Sequence, residues 1–189
     1  MNKKITVGVS GRHAHVSQQD LEVLFGEGYE LTVLKDLSQP GQFAANERID
    51  VVGPKGTLKV RILGPVRSRS QVELSMTDSF VLGVEGVVRN SGDVSGTPGA
   101  ILRGPAGEVT IDDGIIVAAR HMHLHSDDAK NFGVKDKQIV SVRTSGDRGI
   151  TFANVLCRVD DSFALDFHID TDEANAGAIK NGEEVELIV

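Results

Sequence analysis

Two pairs of histidines stand at a spacing that suits a metal ion. His13 and His15 form one His-x-His motif, and His121 and His123 form another. On an extended strand, side chains at i and i+2 project from one face with Cα atoms about 7 Å apart, so each pair can close on one divalent ion. A lone strand histidine is more often a core residue, but the pairs predict two strand-borne metal sites.

The two motifs belong to an internal repeat. Arg12-His13-Ala14-His15 recurs 108 residues later as Arg120-His121-Met122-His123, and the same offset relates Asp20 to Asp128. Each copy soon reaches a Phe-Gly pair, after a slip of one residue. Such self-similarity predicts two similar halves. Duplication also disfavours a core role, because buried neighbouring imidazoles would compete for partners.

The segments that must position these histidines are short and mostly extended. Apolar runs separated by Gly and Pro turns predict a mainly β fold of two small antiparallel β-barrel domains from an internal duplication, with short capping helices. Three helices are expected: Gln18 to Phe25 after Ser17, one beginning near Ser126, and one capped by Asp170 or Thr171 and ended by Gly182. The first strand is expected over residues 3–10 and the last over residues 183–189.

Composition limits the class of partner. The chain has 189 residues, 40% hydrophobic, with a net charge of −7, which excludes a general attraction to nucleic acid or to anionic membranes. The single cysteine, Cys157, excludes an internal disulfide and is expected to be a small buried side chain in a reduced, cytoplasmic protein. The sequence offers no apolar run of the roughly 20 residues that a spanning helix needs.

Three further features bear on chemistry. If extended, Arg67, Arg69, Gln71 and Glu73 share one face, which is either an ordinary solvated face or an anion clamp. His168 leaves a predicted strand and can supply a third nitrogen to one pair, because three protein ligands with an open position are typical of catalytic zinc. His125 would lie about 13 Å from His121 along a strand, so it is expected at the helix entrance.

Four stretches in order resemble the PduL-type phosphate propanoyltransferases, which are zinc-dependent phosphotransacylases. They are residues 9–17, 63–73, 119–123 and 166–175, and the resemblance runs from about residue 5 to the end of the chain. It implies an acyltransferase that interconverts acyl-CoA plus phosphate with acyl phosphate plus CoA. It also implies a homodimer and a chain that crosses between two barrels, one of residues 1–10 plus 119–189 and the other of residues 11–118.

The resemblance also implies roles for particular residues. Two zinc ions per chain are expected, the first held by His13, His15 and Glu73 and the second by His121, His123 and His168. Arg67 matches the phosphate-binding arginine, and Ser91 matches a loop serine near the first metal. The implied reaction is direct attack of phosphate on the thioester of propanoyl- or acetyl-CoA, assisted by zinc.

Two other functions would use the same predicted metal sites. A zinc-dependent acyl-CoA thioesterase would take water as the nucleophile, and a non-catalytic zinc-binding barrel would hold metal without binding CoA. Encapsulation in a microcompartment is not expected, because the sequence shows no N-terminal encapsulation peptide before the first predicted strand.

Overall fold

The computed structural model describes residues 4–188, which form fifteen strands and four helices. The predicted strand positions at residues 3 and 189 lie outside this range. The strands are β1 (Lys4–Ser10), β2 (His13–His15), β3 (Val33–Asp36), β4 (Phe43–Val52), β5 (Thr57–Gly64), β6 (Gln71–Leu74), β7 (Val88–Arg89), β8 (Ala100–Arg103), β9 (Glu108–Ile111), β10 (Ile115–Ala118), β11 (His121–Leu124), β12 (Ile139–Arg143), β13 (Thr151–Val159), β14 (Asp166–Asp170) and β15 (Glu184–Ile188). The helices are α1 (Gln18–Phe25), α2 (Met76–Leu82), α3 (Ser126–Phe132) and α4 (Thr171–Gly177).

The predicted mainly β fold is confirmed, since most of the regular structure is strand and one sheet closes into a barrel. The chain divides into two compact units. Unit 1 comprises residues 1–10, 38–40 and 119–189, and unit 2 comprises residues 11–37 and 41–118. In unit 1 the strands close a barrel in the order β1-β14-β11-β13-β12-β15. Alternate side chains of these strands, such as Ile5, Val7 and Val185, point into its core, where Phe167 and Met122 are fully buried.

In unit 2 the sheet runs β7-β10-β6-β2-β5-β4-β8-β9, with β3 paired to β4, and it curls as a half-barrel. Its core includes Leu21 and Leu24 from α1 and Ile49, Val60 and Ile62 from the hairpin of β4 and β5. Both sheets are mixed rather than antiparallel, since β1 pairs with β14, and β2 with β5, in parallel. Alternation within short strands cannot reveal such pairings, because they join segments far apart in sequence.

The same pairing scheme is repeated in both units. Strand β2 lies between β6, antiparallel, and β5, parallel, and β11 lies between β14, antiparallel, and β13, parallel. In turn β6 pairs in parallel with β10, and β14 pairs in parallel with β1. Strand β10 therefore plays in unit 2 the part that β1 plays in unit 1, although β1 precedes β2 along the chain and β10 precedes β11.

The helices follow their caps, with one prediction wrong. Helix α1 begins after Ser17 and ends at Phe25 as predicted, and α4 begins after Asp170. Helix α4 does not reach Gly182 but ends at Gly177, because Ala178 adopts a left-handed conformation (φ 51°) and its N–H donates to the carbonyl of Ala174. Within residues 4–188, no helix is long and apolar enough to cross a membrane.

Candidate metal centres

The first centre lies in unit 2, where β2 and β6 place three side chains together. His13 and His15 stand on one face of β2, and Glu73 lies opposite His13 in the antiparallel ladder. Nε2 of His13 is 3.3 Å from Oε2 of Glu73, and Nε2 of His15 is 3.9 Å from Oε1. All three side chains are buried, and one ligand atom from each lies within 4.8 Å of the others.

Hydrogen bonds hold the Glu73 carboxylate in place. Oε1 accepts from Nε2 of Gln71 at 2.6 Å and from Oγ of Ser91 at 2.8 Å. The amide of Gln71 is itself fixed, since its oxygen accepts from the backbone N–H of Gly92 at 2.9 Å. The loop that carries Ser91 and Gly92 therefore orients the carboxylate without occupying Oε2.

Arg67 is positioned at the edge of this centre. Its backbone N–H donates to the carbonyl of Val16 at 2.9 Å, just beyond the end of β2. Its guanidinium donates from Nη1 to Oγ of Ser91 at 3.1 Å. Arg67 and Gln71 also line a small pocket, completed by Ser68, Arg69, Ser70, Gly92 and Val94. By contrast, Arg69 forms an ion pair with Asp113.

Burial and neighbouring charge set the protonation of this centre. Burial and the adjacent His13 lower the pKa of His15 to about 3, so this imidazole is neutral. Burial alone would lower the pKa of His13, but the Glu73 carboxylate outweighs it and raises that pKa. Burial would likewise raise the pKa of Glu73, yet His13 and His15 hold it well below its ordinary range.

The second centre lies in unit 1 and repeats the first. His121 and His123 stand on β11, and His168 on β14 lies opposite His121. The Nε2 atoms of His121 and His123 are 3.0 Å apart, and one ring nitrogen from each of the three histidines lies within 4.8 Å of the others. Burial and the neighbouring His121 and His168 lower the pKa of His123 to about 2.

Asp166 and Gly8 frame His168. Oδ2 of Asp166 lies 2.9 Å from Nε2 of His168 and accepts from Oγ of Ser38 at 2.5 Å. Gly8 pairs with His168 across β1 and β14, and a Cβ at this position would lie 2.8 Å from Cδ2 of His168. The ring therefore fits only because residue 8 is glycine.

Both clusters have the donor chemistry of a zinc site. Nδ1 of His121 donates to the carbonyl of Ala119 at 2.9 Å, so the neutral ring turns the lone pair of Nε2 toward Nε2 of His123. Nδ1 of His13 likewise donates to the carbonyl of Gly11 at 2.9 Å, and Nε2 faces a carboxylate oxygen. Once Nε2 of each ring has lost its proton, the lone pairs that these atoms direct at one another suit a cation, and imidazole with carboxylate is a ligand set that zinc takes.

The structure brings together all six residues expected to bind metal, in two groups of three, and it places Arg67 and Ser91 beside the first group. His125 lies apart, as the N-cap of α3, where Nδ1 accepts from the N–H of Asp127 at 3.1 Å. Sequence reasoning missed Gln71 as a partner of Glu73, and also Asp166 and Gly8. A second repeat offset in the sequence could have revealed Gln71 and Asp166 as equivalent residues. Gln71 precedes Asp166 by 95 residues, and the ligands Glu73 and His168 are separated by the same 95 residues.

Comparison with known proteins gives a consistent result. The sequence profile of a family described as phosphate propanoyltransferase matches residues 6–180. A phosphate propanoyltransferase of Thermotoga maritima is 56% identical over 186 residues, which cover 97% of this chain and 89% of that protein. One of Leptotrichia buccalis is 54% identical over 177 residues (93% and 84%), and one of Clostridioides difficile is 49% identical over 185 residues (97% and 88%).

Proposed function

Because the chain belongs to the phosphate propanoyltransferase family and is a phosphate acyltransferase, we propose that it moves a propanoyl or acetyl group between CoA and inorganic phosphate at the centre of unit 2. One observation carries this proposal: a buried three-donor cluster is joined through Ser91 to the guanidinium of Arg67. A site suited to a Lewis-acidic metal and an anion-binding guanidinium are therefore bridged by the hydroxyl of Ser91.

The side chains of unit 2 have distinct tasks in this proposal. His13, His15 and Glu73 would hold a zinc ion, which supplies Lewis acidity toward the thioester and its leaving thiolate. Arg67 binds phosphate through its planar guanidinium and directs an oxygen at the carbonyl carbon. As the new C–O bond forms, the C–S bond breaks and its electron pair leaves with the CoA sulfur. Gln71 and Ser91 keep Glu73 fixed throughout.

Direct attack by phosphate is favoured over an acyl-enzyme. The only cysteine, Cys157, is fully buried, and burial raises the pKa of its thiol to about 11. A thiol with these properties is a poor nucleophile. Ser91 already donates to the Glu73 carboxylate and accepts from Arg67, which suits an orienting role rather than a nucleophilic one.

We also propose a second zinc ion in unit 1, held by His121, His123 and His168. Histidine ligands add no negative charge of their own, so apart from the Asp166 carboxylate beside His168 a divalent ion there would keep its positive charge and suit an anionic ligand such as phosphate. A cytoplasmic location stays a prediction, which cell fractionation would check.

We further propose a homodimer. Unit 2 exposes large apolar side chains on α2, where Met76 and Phe80 share one helix face and the latter is 73% exposed. Exposed apolar side chains grouped in this way are typical of association surfaces.

The test is a thiol-release assay with propanoyl- and acetyl-CoA, run with and without phosphate on zinc-loaded, chelator-treated and reloaded protein. We expect release that requires phosphate, is lost on chelation and returns with zinc. Arg67→Ala should reduce turnover on the order of 100-fold or more, as removal of a charge-stabilising donor does. The control Arg103→Ala breaks an exposed ion pair with Glu108 and should leave turnover unchanged.

Two results would defeat the proposal. Release that continues without phosphate, and is unaffected by Arg67→Ala, would identify a thioesterase. An acyl-protein adduct that forms rapidly from acyl-CoA alone would replace direct attack with a covalent route.

A further inference from the structure

An arginine precedes each His-x-His motif, and both arginines make the same kind of contact. Arg12 forms a two-pronged ion pair with Asp78, through Nε at 3.1 Å and Nη2 at 2.8 Å. Arg120 pairs with Glu173 through Nε at 2.9 Å. Since the two contacts lie in different units and recur at equivalent places in the repeat, chance is a poor explanation for them.

The partner carboxylates also occupy equivalent positions. Asp78 is the third residue of α2 and Glu173 is the third residue of α4, and each completes a capping box with its N-cap residue. Ser75, the cap residue of α2, lies two residues beyond Glu73. Asp170, the cap residue of α4, likewise lies two residues beyond His168. Each arginine therefore ties the strand that carries the histidine pair to the helix that follows the third ligand.

Each of these contacts lies beside a short strand pairing. Strand β2 has three residues and meets β6 at only three register positions within the described chain, and β11 meets β14 at three. A shift of one residue would turn the third ligand to the opposite face of the sheet. Short ladders specify register poorly on their own, so an added contact across the same two strands has a large effect.

We propose that Arg12 and Arg120 are positioning residues, each holding the third ligand of its own metal centre opposite the first histidine. Both carboxylates are largely buried, with side-chain exposures of 6% for Asp78 and 20% for Glu173. Loss of the arginine leaves a buried charge unpaired, which displaces the helix start and the strand end beside it. The inference rests on the two metal centres of the proposed function.

The experiment measures metal affinity at each centre by zinc titration against a chelator. Wild type should show two binding events, and His15→Ala and His123→Ala should each remove one. In the His15→Ala background, which reports on unit 1, Arg120→Ala should weaken the remaining event about tenfold or more, because it disturbs the position of His168 and misplaced ligands cost about 10- to 100-fold in affinity. Arg12→Ala should not change this event. The His123→Ala background should give the converse.

Matched variants separate positioning from general stability. Arg103→Ala in unit 2 and Arg143→Ala in unit 1 break exposed ion pairs with Glu108 and Glu186 and should leave both binding events unchanged. Arg12→Lys and Arg120→Lys, which keep the charge, should bind zinc with affinities between those of wild type and the alanine variants. They replace the alanine variants in this test if those do not fold. Arginine variants that melt at a lower temperature but bind zinc like wild type would overturn the inference. Wild type that binds no zinc at all would overturn the metal centres themselves.

Discussion

His13 and His121 owe their orientation to the same short-range hydrogen bond. In each, Nδ1 donates to the carbonyl two residues earlier, at Gly11 and Ala119. The backbone therefore selects one tautomer and leaves Nε2 as the nitrogen available to a metal. The third ligands differ, and Gly8 explains part of the difference, because the equivalent residue of the repeat beside Glu73 is Ile116.

The close approach of Gly8 to His168 gives the first prediction. Gly8→Ala places a methyl group against the imidazole and should weaken zinc binding at the unit 1 centre about tenfold or more, with the unit 2 centre unchanged. Chelator competition measures both events. Gly11→Ala is the control, since its Cβ would have no neighbour within 4 Å among the described residues. Two unaltered binding events in Gly8→Ala would contradict this reading.

Cys157 gives a prediction about alkaline pH. The pKa of its thiol rises from 9.0 in the unfolded chain to about 11 in the folded protein, because burial and the charge of Asp136 disfavour the thiolate. Between these values the unfolded chain releases a proton that the folded protein keeps. The buried thiol therefore contributes to the free energy of unfolding fully below about pH 9. This contribution should be lost as pH rises from about 9 to about 11, by up to about 1.4 kcal/mol per pH unit.

Urea unfolding over this pH range measures the effect in wild type and in Cys157→Ala. Because alanine leaves a small cavity, the comparison is between the slopes of the free energy of unfolding against pH and not between absolute stabilities. Equal slopes in the two proteins would show that the thiol is not responsible.

At the scale of elements, local signals were sufficient for the histidine strands and for α1, whose Ser17 cap and Gly26 stop are both present. Helix α2 is not among the three predicted helices, although Ser75 and Asp78 carry its cap signature. The end of α4 could not be foreseen, since Ala178 takes a backbone conformation more usual for glycine. Parallel pairings escaped prediction because they depend on contacts between distant segments.

The cap of α3 gives a prediction at this scale. His125 stands where the first repeat has Ser17, and both side chains accept from a backbone N–H in the first helical turn. His125→Ser should keep both zinc-binding events and leave the free energy of unfolding equal to wild type or about 0.5–1 kcal/mol higher, because serine is a preferred N-cap. Metal titration and urea unfolding check the two parts. Loss of a binding event would place His125 in the metal centre after all.

At the scale of the whole molecule, the duplicated offset predicted two halves and two metal-binding groups. Whether each unit folds as an independent domain stays a prediction. The roles of Arg67 and Ser91 came from family resemblance, because neither spacing nor polarity singles them out. Gln71 and Asp166 show why: a side chain that orients a ligand is recognised by its distance to that ligand, and distance is a property of the folded sheet.

Assembly gives the last prediction. Phe80→Glu puts a charge on the most exposed large apolar residue of α2 and should shift the proposed homodimer toward monomer by at least tenfold in dissociation constant. Analytical ultracentrifugation measures this. Val33→Glu, on the exposed strand β3, is the control and should leave the dimer intact. A monomeric wild type, or a Phe80→Glu dimer of unchanged strength, would count against the surface on α2.

Strand β1 also affects how the protein is made. It is synthesised before every other strand of its barrel, yet its neighbours β14 and β15 are among the last to leave the ribosome. The two segments of unit 2, residues 11–37 and 41–118, are synthesised before the rest of the unit 1 barrel and can collapse while synthesis proceeds. Strand β1, by contrast, has no parallel partner until Phe167 is available to Val7. Closure of so long a loop is slow and leaves an apolar strand exposed meanwhile. Docking of β1 is therefore the late step on which completion of the unit 1 barrel depends.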